Sequence, residues 1–263
     1  MRYLFDWLDK LKKELNNKNI ILFLDYDGTL TPIAQTPKKA MLSLETKELL
    51  RRLIKNRRFQ LAIISGRALK DIKEKIGIEE IIYVGNHGLE IEGPKIKFRY
   101  VVPTKYKRIF KNIKNKLKTH LSTIKGAFIE DKGLSFSLHY RLVKKNKIPK
   151  VKKILHPIVS AYKKDDKIKI KKAKKAFEIT PPLLWNKGKA VLWLLNKLSS
   201  AFTKKEIVPI YLGDDVTDED AFCALQNRGI TIFVGKPKKS EAQYYLKNTQ
   251  QVKDFLNNII KLQ

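Results

Sequence analysis

Asp25 and Asp27 stand one residue apart, directly after the apolar run Ile20-Ile21-Leu22-Phe23-Leu24 and before Gly28-Thr29-Leu30. An aspartate so placed can attack phosphorus, and an aspartyl-phosphate divides one hard displacement into two easier ones. A second acid two residues on can protonate the leaving oxygen and later activate water, provided it is protonated for the first step. Two carboxylates this close repel each other unless something cationic joins them. Mg²⁺ is the natural candidate, because it takes one or two carboxylates and keeps substrate phosphate oxygens in its shell.

Three further groups could serve the same chemistry. Ser65 offers a hydroxyl to a phosphoryl oxygen. Lys187, in Trp185-Asn186-Lys187-Gly188-Lys189, offers a charge to the phosphoryl group and the nucleophile. Asp214 and Asp215 complete a cation site, with Asp218 one turn onward to orient it. Each also has a plainer reading. Ser65-Gly66 is a common turn, and Lys187 is one lysine among many. Thr217 or Asp218 can cap the next helix, and Glu219 and Asp220 suit its first turn. His87, between Asn86 and Gly88, is either a substrate donor or a loop histidine bonded to backbone. His139 falls on the open face of a strand, while His120 and His156 sit on helices as structural or solvated residues.

These residues need elements to position them. Five apolar runs read as core strands: 20–24, 61–64, 81–84, 207–212 and 230–234. The first has strand length without alternation, as a strand buried on both faces does. Each run ends in small or polar residues, and open α/β sheets bind ligands at the C-terminal ends of their strands. Helical patterns lie between most of them. Ser43 can cap a helix with Leu44, Leu49, Leu50, Leu53 and Ile54 on its apolar side, and 68–76 and 189–198 give two more. This alternation predicts an α/β fold: a Rossmann-like parallel-sheet core flanked by helices. Pro209 is awkward for a central strand but falls early in its run.

Between about residues 103 and 179 the pattern changes. A helix carrying Ile109, Phe110, Ile113, Leu117 and Leu121 precedes a hairpin, 127–130 with 134–140, around Asp131-Lys132-Gly133. A second helix and a second hairpin, 167–171 with 176–179, follow. The order αββαββ predicts a small α/β cap inserted into the core. The expected domains are 1–103 (core, first part), 104–179 (cap) and 180–263 (core, second part).

The chain has 263 residues, 43% of them hydrophobic, which suffices for a proper core. Cys223 is the single cysteine, so no intrachain disulfide is expected; it reads as a small buried filler. No signal peptide and no membrane-spanning run are visible, which makes a cytoplasmic protein the expectation. Leu4, Trp7, Leu8, Leu11 and Leu15 form one face of an N-terminal helix, expected to pack on the core. The formal charge is +30, from 56 Lys+Arg against 26 Asp+Glu. The excess is mostly lysine spread along the chain, and no helix-turn-helix, zinc-finger or RNP-type pattern is present, so no specific nucleic-acid partner is expected. A positive field would also draw in an anionic substrate.

Asp25-Tyr26-Asp27-Gly28-Thr29-Leu30, Ser65-Gly66-Arg67, Asn186-Lys187-Gly188 and Gly213-Asp214-Asp215 resemble the four motifs of the haloacid dehalogenase-like phosphatases. Gly85-Asn86-His87-Gly88, Glu130-Asp131-Lys132-Gly133 and the run from Gly213 to Phe222 are similar to one branch, the trehalose-6-phosphate phosphatases. The resemblance implies Mg²⁺-dependent hydrolysis of trehalose 6-phosphate to trehalose and phosphate, with a cap that opens for substrate and closes against water. It implies metal ligation by Asp25, the backbone carbonyl of Asp27, and Asp214, and sugar contacts from Glu130, Lys132 and Glu178. Arg67, Asn86 and His87 are expected to face the substrate. A trehalose-phosphate synthase enters as a partner on the same ground. Thr180, where a basic residue is expected, and Leu183-Leu184-Trp185 depart from the pattern.

Two alternatives stand beside this reading. One is a related sugar or polyol phosphatase with the same chemistry and another cap preference. The other is a polyanion-binding protein on a catalytically idle scaffold.

Overall fold

The computed structural model describes residues 1–173, 175–199 and 206–262. In chain order its strands are β1 (Arg2–Tyr3), β2 (Asn19–Asp25), β3 (Phe59–Ile64), β4 (Ile82–Gly85), β5 (Glu90–Gly93), β6 (Ile96–Arg99), β7 (Phe128–Asp131), β8 (Phe136–His139), β9 (Lys169–Ala173), β10 (Ala176–Thr180), β11 (Ile207–Gly213), β12 (Ile230–Val234) and β13 (Tyr244–Leu246). Its helices are α1 (Leu8–Leu15), α2 (Leu44–Lys55), α3 (Leu69–Ile76), α4 (Thr104–Leu121), α5 (Ile148–Lys164), α6 (Lys187–Ser199), α7 (Glu219–Ala224) and α8 (Thr249–Ile259). The chain divides into two compact units, Met1–Arg99 with Trp185–Gln263, and Tyr100–Leu184.

The larger unit is built on one sheet, ordered β1-β13-β12-β11-β2-β3-β4-β5-β6. It is parallel from β1 to β4, and β5 and β6 extend it antiparallel. β2 lies in the middle, and its side chains alternate between two cores. Ile20, Leu22 and Leu24 join α1, α2, α3 and α8, while Ile21 and Phe23 join α6 and α7. Burial on both faces explains why the run is apolar at every position. The result is the expected α/β architecture, with the ends of β2, β3 and β11 aligned by their parallel registers.

Local expectations met the fold unevenly. The Ser43 hydroxyl caps α2 by accepting the Thr46 N–H at 3.2 Å. Leu44, expected on the apolar side, is exposed, because the first residue of α2 precedes the turn that packs. Pro209 sits inside β11, and β12 begins to pair only at Ile210, so its missing N–H costs that ladder nothing. Cys223 is exposed rather than a buried filler, since α7 turns Ala221 and Phe222 inward instead. Leu4, Leu11 and Leu15 pack into the core as expected. The short strands β1, β5, β6 and β13 escaped the sequence reading; β5 reads Glu-Ile-Glu-Gly, too short to show a pattern.

The smaller unit holds the sheet β7-β8-β10-β9, antiparallel throughout. Phe136, Leu138, Phe177 and Ile179 of its apolar face pack against Phe110, Ile113 and Leu117 of α4 and Val151, Leu155 and Val159 of α5. Period-two alternation therefore turns Ser137, His139 and Glu178 to the opposite face.

Candidate active site

Asp25 ends β2 and Lys187 opens α6, which starts there because the Asn186 side chain accepts the Lys189 N–H at 3.0 Å. The Lys187 ammonium donates to Asp25 Oδ1 at 2.8 Å and to Asp218 Oδ1 at 2.7 Å, with all three groups buried. Asp218 is fully employed by the protein. Its Oδ1 also accepts the Tyr211 hydroxyl at 2.7 Å, and its Oδ2 accepts the N–H groups of Asp214 and Asp215 at 3.0 and 2.9 Å. Asp218 thus orients the β11 end and Lys187. Asp215 is the N-cap of the short turn that follows, with Oδ1 accepting the Val216 N–H at 2.7 Å.

Charge is tightly matched here. Burial pushes Asp25 well above the usual carboxylate range, Lys187 opposes that shift, and Asp218 and Asp214 add to it. Burial would also raise Asp218, but Lys187, the Tyr211 hydroxyl and backbone N–H groups outweigh it and hold Asp218 down. Burial would lower Lys187, and the two aspartates overcome it and raise it. Removing Lys187 would leave buried carboxylates uncompensated, at a cost of about 3–5 kcal/mol.

Ligand oxygens of Asp25, Asp214 and Asp218 lie within 4.8 Å of one another. Three carboxylates against one ammonium leave the cluster short of positive charge. The donors are hard oxygens, without sulfur or imidazole, which fits Mg²⁺. Gly28 makes room for the cluster. Its φ is +95°, and a Cβ there would stand 1.7 Å from Asp214 Oδ2.

Asp27 is held by Arg67, which donates Nε–H to Oδ2 at 2.6 Å and Nη2–H to Oδ1 at 2.7 Å. Arg67 is itself buried, donates to Asp71 Oδ2 at 2.7 Å and to the Pro37 carbonyl at 2.9 Å, and lies 5.3 Å from the Tyr26 ring. Expected to face substrate, Arg67 instead has these protein partners. Ser65 leaves β3 just past the Asp25–Ile64 pair, and its Oγ accepts the Arg67 N–H at 3.1 Å.

The Asn86-His87-Gly88 loop is clamped beside it. Asn86 and His87 both have positive φ. The Asn86 N–H donates to the Arg67 carbonyl at 2.7 Å and the His87 N–H to that of Ser65 at 3.1 Å. The Asn86 amide also donates to Glu90 Oε2 at 2.6 Å, and Trp185 Nε1–H donates to the Gly88 carbonyl at 2.7 Å. The His87 ring covers Gly66, where a Cβ would stand 2.4 Å from Cε1.

In the smaller unit, register aligns Glu130, Ser137 and Glu178 across three strands. Lys132 Nζ donates to Glu178 Oε1 at 2.8 Å, and His139 Nε2 lies 2.7 Å from Glu130 Oε2. The three residues expected to read a sugar therefore share one polar face of this unit. Tyr211 and Asp71 were missed in the sequence. A tyrosine within an aliphatic buried strand was the available signal, because a buried phenol needs a partner.

A family model described as Trehalose-phosphatase matches residues 23–250. The chain belongs to the trehalose-phosphatase family. Among relatives of this family, Trehalose-phosphate phosphatase B of Arabidopsis thaliana is 32% identical over 265 residues, covering 96% of this chain and 69% of its own length. Probable trehalose-phosphate phosphatase 3 of Oryza sativa is 32% identical over 274 residues, covering 97% and 73%. Among solved structures, the C-terminal domain of C. albicans trehalose-6-phosphate phosphatase superposes with a TM-score of 0.84 at 25% identity, covering 100% of this chain and 99% of that one. A haloacid dehalogenase-like hydrolase from B. subtilis shares the fold, with a TM-score of 0.59 at 15% identity, covering 90% and 98%. No helix among the described residues is long and apolar enough to cross a membrane.

Proposed function

We propose that the chain is a phosphoric monoester hydrolase of trehalose biosynthesis that converts trehalose 6-phosphate to trehalose and phosphate. Membership of the family supports the substrate. The observation that carries the chemistry is the buried Lys187 bridging Asp25 and Asp218.

In this reading Asp25 attacks phosphorus as the bond to the sugar oxygen breaks, and Asp27 gives that oxygen its proton. Water then attacks the aspartyl-phosphate, loses its proton to Asp27, and frees Asp25 and phosphate. Ser65 and Lys187 hold the phosphoryl oxygens. Asp25, Asp214 and the Asp27 carbonyl would hold Mg²⁺, which when bound supplies positive charge for the phosphoryl oxygens. Asp215 and Asp218 act by positioning this set, and Arg67 acts on Asp27. Asn86 and His87 are proposed to face substrate, while Glu130, Lys132 and Glu178 of the smaller unit read the distal glucose. Carboxylates accept from vicinal hydroxyls and lysine donates to them. A trehalose-phosphate synthase is the partner such a substrate implies.

The test is phosphate release with Mg²⁺ from trehalose 6-phosphate, sucrose 6-phosphate, glucose 6-phosphate and p-nitrophenyl phosphate. A kcat/KM for trehalose 6-phosphate far above the rest is expected. A flat profile would keep the aspartate chemistry and remove the substrate; no release from any would remove both.

A further inference from the structure

The charge excess is not evenly spread, contrary to the sequence reading. Residues 100–184 carry 24 lysines and arginines against five aspartates and glutamates, which is +19 of the chain's +30. α4 and α5 contain twelve cationic residues and no acidic one. Of the acids of this unit, Asp131 pairs with Lys114 of α4, while Glu130 pairs with His139, Asp165 with Lys167 and Glu178 with Lys132, off the two helices. Lys105, Arg108, Lys111 and Lys118 run as an exposed stripe along α4, and Lys150, Lys153, Lys163 and Lys164 are exposed on α5. Like charges three and four residues apart repel. Basic side chains in a first turn also oppose the helix dipole, as Lys105, Lys107 and Lys150 do here. The isolated unit thus carries a self-repulsion that an external anion would relieve.

The shape of the face narrows the partner. α4 and α5 pack on one face of the same sheet. Two helices side by side span roughly 20 Å, too wide for a major groove of about 12 Å. No Phe, Tyr or Trp of this unit is exposed among those described, so the face lacks the large aromatic platforms on which unpaired bases stack. Eleven of the twelve helix cations are lysines, which act as hydrated point charges rather than planar forks. An open cavity of about 480 Å³ at the start of α4 is lined by Thr104, Lys105, Tyr106, Arg108, Ile109 and Lys167, so apolar surface and cationic side chains meet there.

We propose that the α4–α5 face of the smaller unit docks the protein peripherally on an anionic phospholipid surface. Polybasic segments gain about 1 kcal/mol per lysine or arginine at such a surface, or roughly fivefold in partitioning. This docking is independent of the phosphatase reading.

The test is co-sedimentation of the full chain with phosphatidylcholine vesicles, with and without phosphatidylserine, at low and physiological salt. Binding is expected only with phosphatidylserine, weakening as salt rises. The variant with Lys105, Arg108, Lys111 and Lys118 each changed to Gln should partition roughly 600-fold less. A control with Lys13, Lys55, Lys239 and Lys261 changed to Gln removes equal charge from exposed sites of the larger unit and should keep most of the binding. Unchanged circular dichroism and turnover of soluble substrate confirm that both variants fold. Absence of phosphatidylserine-dependent binding at low salt would overturn the proposal, as would equal losses in the two variants. Displacement from vesicles by a duplex oligonucleotide at much lower phosphate concentration would overturn it in favour of a nucleic acid.

Discussion

Arg67 grips both carboxylate oxygens of Asp27, at 2.6 and 2.7 Å. Both oxygens of the residue proposed as acid and base thus accept from a buried guanidinium that Asp71 and the Pro37 carbonyl fix in turn, and Asp27 must release one oxygen from Arg67 to carry a proton. Asp27→Asn should slow phosphoryl transfer by roughly 10²–10⁴-fold while sparing substrate binding. Arg67→Lys, which cannot fork onto both oxygens, should lower kcat more than it raises KM. A pure KM effect for Arg67→Lys would return Arg67 to direct substrate contact.

Asp25→Asn should abolish turnover and leave the fold intact. Its carboxylate, the proposed nucleophile, accepts from Lys187 at 2.8 Å. Urea titration and phosphate release together check this, and near-wild-type activity in the variant would remove the nucleophile assignment.

Glu130→Ala and Glu178→Ala should damage turnover of trehalose 6-phosphate far more than that of p-nitrophenyl phosphate. A polar site discriminates by leaving its buried groups unpaired when the expected hydroxyl is missing. Equal losses on both substrates would mean that neither residue reads the sugar.

Chelation should stop the reaction, and added Mg²⁺ should restore it. Lys187 offsets only part of the charge of Asp25, Asp214 and Asp218, whose carboxylate oxygens lie within 4.8 Å of one another, so Mg²⁺ should also raise the thermal midpoint. Asp214→Asn should erase both responses. An unshifted midpoint in the native chain would argue against a divalent cation at this cluster.

Alkali should unfold the larger unit through its buried phenols. Burial raises Tyr26 and Tyr83 to about 12 each. The native state keeps protons that unfolded tyrosines lose near pH ~10. The stability they contribute is therefore full below that value and is lost as pH rises through about 12. Urea midpoints measured across this range should fall, and less steeply in Tyr83→Phe. An unchanged slope in that variant would assign the loss to other groups.

Asp25, Lys187 and Asp214 were legible in the sequence because each stands at the abrupt end of an apolar run or the start of a helical one. A buried strand must be apolar, so the place where it stops being apolar marks the sheet edge. Local periodicity likewise determined the parallel core and the αββαββ insertion. The sequence alone could not determine that Tyr211 meets Asp218, that Arg67 grips Asp27, or that Cys223 faces out. Nor could it gather α4 and α5 lysines, some 40 residues apart in the chain, onto one face. These facts depend on which side chains the folded chain brings together. Hydrogen-bond partners and fields are set by distance in space, and only tertiary structure decides that distance.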